Sequence, residues 1–205
     1  MIKNVVFDFG QVLIHFKEEQ MVSPYLSDAE DARTVGEVVF DRVFWDRLDA
    51  GTITDDEVVA GIKERLPVRL HAAAEEVYRN WYHHTPEIDG MRELIRRLKR
   101  EFGVRILVLS NISRTFAEHY TEIPILSEAE GCVFSAVCGY VKPNAEIFAH
   151  LCERFSILPS ETVFIDDNAK NIRGAEAFGI KGYLFDGDAS ALGRYLDELL
   201  SENHS

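Results

Sequence analysis

Val5-Val6-Phe7-Asp8-Phe9-Gly10-Gln11-Val12-Leu13 is the stretch that decides the fold. Asn4 to Phe9 is too short and too rich in β-branched and aromatic residues for a helix, so it reads as a buried strand of the parallel type. Asp8 interrupts the apolar run, and Gly10 lets the chain turn sharply just beyond it. Burying an ionised carboxylate without a partner costs several kcal/mol. Asp8 therefore belongs at a strand tip with a cation nearby, or else it caps the following turn.

Working outward, Glu18 to His84 carries helix signals and almost no strand signals. Ser27-Asp28-Ala29-Glu30 and Thr54-Asp55-Asp56-Glu57 have the form of capping boxes, with a hydroxyl at the N-cap and a carboxylate three residues on. Val38 to Leu48, Val58 to Leu66 and Ala72 to Trp81 repeat apolar residues at helical spacing. The segment is expected to form a small helical bundle inserted after the first strand.

Beyond Pro86 helix and strand patterns alternate. Met91 to Phe102 is amphipathic, and its Arg92, Arg96, Arg97 and Lys99 read as a solvated face. Strands are expected over Val104 to Leu109, Cys132 to Val137, Thr162 to Ile165 and Lys181 to Phe185. Helices are expected over Ala145 to Phe155, Asn171 to Phe178 and Ala191 to Leu200. Such alternation predicts an α/β fold, a Rossmann-like, doubly wound parallel sheet with right-handed crossovers. The domain division that follows is a core of residues 1–16 and 86–205 and a helical cap of residues 17–85.

Composition narrows the function. With 205 residues, 46% of them hydrophobic, the chain can bury a real core. A net charge of −13 disfavours nonspecific attraction to nucleic acid or to anionic membranes. Cys132, Cys138 and Cys152 lack metal-type spacing and suggest reduced thiols, hence a cytoplasmic protein. No apolar leader precedes the first strand, and no run is long enough for a membrane helix. A soluble, unprocessed monomer or weak homodimer is expected.

Polar residues collect just after the strands: Asp8, then Ser110 and Asn111, then Lys142, then Asp166 and Asp167. In open parallel sheets that edge is where ligands bind. Each residue alone also fits a cap, a turn or a solvated charge. As a set they supply what phosphoryl transfer requires. Carboxylates suit Mg²⁺, one of them can serve as nucleophile, and Lys142 with Ser110 can meet the phosphoryl oxygens.

Phe7-Asp8-Phe9-Gly10-Gln11-Val12-Leu13, Val108-Leu109-Ser110-Asn111, Lys142-Pro143 and Phe164-Ile165-Asp166-Asp167-Asn168 match, in order, the four motifs of the haloacid dehalogenase superfamily. The chain resembles that family's phosphatases with a helical cap after the first motif. Arg47-Leu48-Asp49-Ala50-Gly51-Thr52-Ile53-Thr54 is similar to a cap segment of a subgroup that includes α-D-glucose-1-phosphate phosphatase. The resemblance implies an Mg²⁺-dependent hydrolase that acts on a small phosphate ester through an aspartyl-phosphate. It makes Asp8 the nucleophile and a metal ligand, and gives the phosphate to Ser110, Asn111 and Lys142. The metal would fall to Asp8, the Gly10 carbonyl, Asp167 and Asp166, with Asn168 and Asn171 supporting the acidic loop.

One departure matters. Most phosphatases of the family place a second Asp two residues after the nucleophile as general acid and base, and here that position is Gly10. Such catalysis is typically worth about 10² to 10⁴ in rate. A sugar 1-phosphate, whose anomeric hydroxyl is a better leaving group than an ordinary alcohol, would reduce the need for a donor, and Gln11 or His15 are candidate relays. Trp45, Arg47, Asp49, Trp81, Tyr82, His83 and His84 are candidates for the pocket wall, with aromatic bundle core as the alternative. The rival functions are a haloacid dehalogenase, which would not need the acidic pair, and a noncatalytic binder of phosphate and Mg²⁺. A receiver domain would carry its acidic pair near the N-terminus, and neither a dinucleotide fingerprint nor a P-loop is present.

Overall fold

The computed structural model describes residues 1–201. Strand β1 (Asn4–Phe7) leads into helices α1 (Glu18–Val22), α2 (Ala29–Val39), α3 (Arg42–Asp49), α4 (Asp55–Arg65) and α5 (His71–Asn80). The chain then runs through α6 (Met91–Phe102), β2 (Arg105–Ser110), α7 (Arg114–His119), β3 (Gly131–Phe134) and α8 (Ser135–Cys138). It ends with α9 (Ala145–Phe155), β4 (Thr162–Asp166), α10 (Ala169–Phe178), β5 (Lys181–Leu184) and α11 (Ala189–Ser201).

The five strands lie in the order β3-β2-β1-β4-β5, and every neighbouring pair is parallel. From β1 the chain moves outward through β2 and β3, then crosses to the other side of β1 for β4 and β5. The order therefore reverses between β1 and β4, which opens a crevice at their C-terminal ends. Asp8 follows β1 there, and its amide donates to Ile165 O at 2.9 Å, which extends the pairing by one residue.

Strand alternation divides the core between the two faces. Val5 and Phe7 join Met91, Leu94, Ile95 and Leu98 of α6 and Leu192, Leu196 and Leu200 of α11. Val6, Leu107, Leu109 and Phe164 point the other way, onto Ile147, Phe148 and Leu151 of α9 and Ile172 and Ala175 of α10. Each such side chain removed from water contributes about 1.5–3 kcal/mol. The basic face of α6 stays outside and is paired: Arg96 reaches Glu128 at 2.7 Å and Arg97 reaches Asp197 at 2.7 Å.

The Thr54 capping box forms with both of its bonds. At α2, however, Asp28 rather than Ser27 is the N-cap, accepting from the Glu30 and Asp31 amides. A charged acceptor gains from the positive end of the helix dipole as well as from the bonds. The run expected as one helix from Val38 to Leu48 is broken at Phe40 and Asp41, because Asp41 caps a new helix through the Val43 amide. The third strand stops at Phe134 instead of Val137. Ser135 turns the chain there: its hydroxyl accepts from Ile112 N at 2.9 Å and donates to Asp49 O at 2.6 Å. Among residues 8–13 the left-handed conformation belongs to Gln11, with φ 57°, and not to Gly10.

The loop that carries Lys142 rests against α10. A Cβ added to Gly174 would collide with the Pro143 carbonyl oxygen and come within 2.8 Å of Pro143 Cβ. Gly174→Ala should therefore destabilise the fold by about 1–3 kcal/mol, seen as a lowered Tm in thermal unfolding.

Candidate active site

Asp8, Asp166 and Asp167 bring one carboxylate oxygen each to within 4.8 Å of one another. Lys142 lies beneath them with its side chain 1% exposed, its Nζ 2.8 Å from Asp8 Oδ1 and 2.7 Å from Asp166 Oδ2. Asn111, the residue after β2, holds that lysine in place: its side chain accepts from Lys142 N at 2.8 Å and donates to Lys142 O at 3.1 Å. The amide expected on a phosphate is thus engaged with the lysine backbone.

Burial pushes the Asp8 carboxyl up to about 6, with Lys142 opposing the shift and Asp166 adding to it. Burial also works against the Lys142 charge, but Asp8 and Asp166 outweigh it and its pKa rises. Asp8 Oδ1 further accepts from the Phe9 amide at 2.7 Å. Asp166 is fully buried and well supplied with donors: Lys142, the Asn168 amide at 2.8 Å, and Asn171 Nδ2 at 3.1 and 3.0 Å. Asn171 thus touches the acidic pair directly. The Asn168 side chain instead caps α10 by accepting from Lys170 N.

The donor chemistry fits a hard divalent cation. Asp8 and Asp167 face the cleft, Asp167 exposed at the rim, and Asp166 is held rigidly behind them. Oxygen donors of this kind, one or two carboxylates with water, suit Mg²⁺.

Above the carboxylates lies a cleft of about 260 Å³ lined by Asp8, Gly10, Ser110, Asn111 and Asp167 from the sheet edge and by Phe16, Phe40, Arg42, Trp45, Asp49 and Trp81 from the helical side. Its rings pack on one another: Phe16 lies 5.4 Å from Phe40, 5.7 Å from Trp45 and 5.5 Å from Trp81. Trp45 Nε1 donates inward to Val39 O. Of the wall candidates, Trp45, Asp49 and Trp81 line the cleft, and Arg47, Tyr82, His83 and His84 do not. Gln11 uses its side chain to close the turn onto the Phe16 backbone. A larger cleft of about 510 Å³ between α1 and α2 gathers none of the strand-tip residues.

Asp49 is one of the wall candidates of the sequence, and Arg42 carries no site signal there. Both sit on α3, and no periodicity reveals which end of that helix meets the sheet edge. Burial pushes the Asp49 carboxyl up to about 7, against Arg42 and Lys142 and aided by Asp46 and Asp8. The sign for stability follows from the protonated form being favoured in the fold. Ionisation destabilises the native state increasingly as pH rises from about 4 through about 7. Asp49→Asn should therefore raise Tm at pH 8 and leave it nearly unchanged at pH 4, a contrast that thermal unfolding at the two pH values measures.

The all-parallel five-stranded sheet, with a lysine-bridged carboxylate at its switch point, defines the class: a Rossmann-like α/β protein. Residues 2–179 match the haloacid dehalogenase-like hydrolases, and the chain belongs to that family. It is 27% identical over 197 residues to D-ribitol-5-phosphate phosphatase of Bacteroides thetaiotaomicron, covering 89% of this chain and 91% of that one. It is 24% identical to a sesquiterpene phosphatase of Aspergillus oryzae, covering 88% of each. Among solved structures, a haloacid dehalogenase family enzyme of Bacteroides thetaiotaomicron in complex with magnesium and inorganic phosphate superposes with a TM-score of 0.69 at 24% identity, over 94% of this chain and 99% of that one.

Proposed function

We propose that this hydrolase is an Mg²⁺-dependent phosphatase acting on a small phosphate ester, a sugar or sugar-alcohol phosphate, through an aspartyl-phosphate on Asp8. The observation that carries the reading is Asp8 at the switch point, its Oδ1 held by Lys142 at 2.8 Å within a cluster of three carboxylates. Lys142 and the Phe9 amide keep the carboxylate ionised and oriented, and the second oxygen attacks phosphorus. Mg²⁺, held by Asp8, Asp167 and the Gly10 carbonyl with Asp166 behind them, would supply charge neutralisation for the phosphoryl oxygens. Ser110, at the end of β2, offers a hydroxyl to the same oxygens. The helical segment 17–85 acts as the cap, since its Phe40, Trp45 and Trp81 wall the cleft above the carboxylates.

A D-ribitol-5-phosphate phosphatase among the relatives agrees with a polyol ester. With Gly10 in place of an acid, the sugar 1-phosphates suit the site best unless another group in the cleft donates a proton. The test is a screen of phosphate esters that includes paired sugar 1- and 6-phosphates. Turnover should fall at least about 100-fold on chelation of Mg²⁺ and return when the metal is restored. Phosphate-ester turnover that survives chelation would contradict the Mg²⁺ dependence, halide release from a 2-haloacid in the chelated enzyme would favour dehalogenase chemistry, and an equal or reversed preference within the pairs would remove the 1-phosphate argument.

A further inference from the structure

The family position for the general acid is empty here, and a Cβ built on Gly10 meets nothing within 4 Å, so the cleft has room where an acid would sit. A different carboxyl reaches the same cleft from the opposite wall. Asp49 is the last residue of α3, and its Oδ1 is the one buried side-chain polar atom without a hydrogen-bond partner among the described residues. An unpaired buried carboxylate oxygen is costly, and such a group persists where a ligand completes it.

Its placement is fixed by the sheet edge. Ser135 Oγ donates to Asp49 O at 2.6 Å, and Arg114 donates to Ala136 O at 2.9 Å. Gly51, at φ 67°, turns the chain so closely over α8 that an added Cβ would lie 3.2 Å from Ala136 O. The helix end is therefore anchored to the segment that follows β3, and Asp49 lines the cleft together with Asp8, Ser110 and Asp167.

We infer that Asp49 is the general acid of this enzyme, donating a proton to the leaving oxygen in place of the carboxyl missing at Gly10. The inference rests on the phosphatase reading of the site. In the first half-reaction an Asp8 oxygen bonds to phosphorus, and the bond from phosphorus to the ester oxygen breaks with its electron pair on that oxygen. The Asp49 proton moves to the oxygen, giving free alcohol and the Asp49 carboxylate. Water then takes the phosphoryl group from Asp8, and the proton it releases restores the Asp49 carboxyl.

Two features keep the proton available near neutral pH. Burial lifts the group to about 7, and the negative end of the α3 dipole disfavours a carboxylate at the helix C-terminus. Arg42 and Lys142 pull the other way, so the carboxyl can still ionise once the alcohol departs. Ordinary alkyl phosphates thereby become substrates, and the site is not confined to sugar 1-phosphates.

The experiment compares kcat/KM, which reports the steps through alcohol release, on p-nitrophenyl phosphate and on an alkyl phosphate such as ribitol 5-phosphate. Wild type, Asp49→Asn, Asp49→Glu and Asp8→Asn are measured in Mg²⁺. Asp49→Asn should lose about 10² to 10⁴ on the alkyl ester and less than about tenfold on the nitrophenyl ester, whose leaving group needs no proton. Asp49→Glu should recover part of the alkyl activity. The nitrophenyl activity also shows that the Asp49 variants are folded, and thermal unfolding shows it for Asp8→Asn. Equal losses of Asp49→Asn on both esters, or undiminished alkyl turnover, would overturn the assignment while leaving Asp8 chemistry intact. A wild type inactive on every ester, or Asp8→Asn as active as wild type, would overturn the phosphatase reading and this assignment with it.

Discussion

Asp8→Asn should abolish Mg²⁺-dependent hydrolysis of every phosphate ester the wild type turns over, by at least about 10⁴-fold in kcat. The amide is nearly isosteric but has no negative oxygen to attack phosphorus, and it gives Lys142 a dipole where it had a charge 2.8 Å away. The strand beneath is unaffected, since its bonds are made by the backbone and the neighbouring Val5, Val6 and Phe7 are wholly buried. The variant should therefore fold, bind phosphate and fail in chemistry. Steady-state turnover alongside thermal unfolding separates those outcomes.

Lys142→Met should produce the largest combined loss of stability and rate. The lysine separates two carboxylates, one of them fully buried, and both nitrogen contacts are under 3 Å. Removing one partner of a buried ionic set typically costs about 3–5 kcal/mol, because the remaining charges are left uncompensated. For a chain of this size each kcal/mol lowers Tm by about 2–4 °C. Without the ammonium, Asp8 becomes harder to ionise, so the acid limb of the rate profile should move to higher pH as kcat falls about 10²-fold or more. Saturating Mg²⁺ should return part of the lost stability, since the metal supplies the missing positive charge. Thermal unfolding with and without Mg²⁺, and a pH profile of kcat, measure both effects.

The strand tips were legible from the chain because a buried parallel strand permits few polar residues and places them at its end. Asp8, Ser110, Asn111, Lys142, Asp166 and Asp167 all stand at one edge of the sheet or in the loop behind it, as that logic requires. Helix boundaries were legible where a single strong cap decides them, as at Thr54, and less so where two candidates adjoin, as at Ser27 and Asp28. Ser135 misled the strand reading because its hydroxyl takes part in a tertiary bond to Asp49, which no local pattern encodes. The same bond explains why the sequence marks Asp49 only as a pocket-wall candidate and shows no acid role for it. Its chemistry depends on burial and on a helix end docking against another element 86 residues away.

In the proposed mechanism hydrolysis passes through a phosphoryl group bound covalently to Asp8. Acid quenching during turnover, borohydride reduction of the acyl phosphate and peptide mapping by mass spectrometry detect that group. A substrate- and Mg²⁺-dependent reduction product is expected at Asp8 and is missing from Asp8→Asn. Active turnover with Asp8 unmodified, or with the label on another residue, would contradict it.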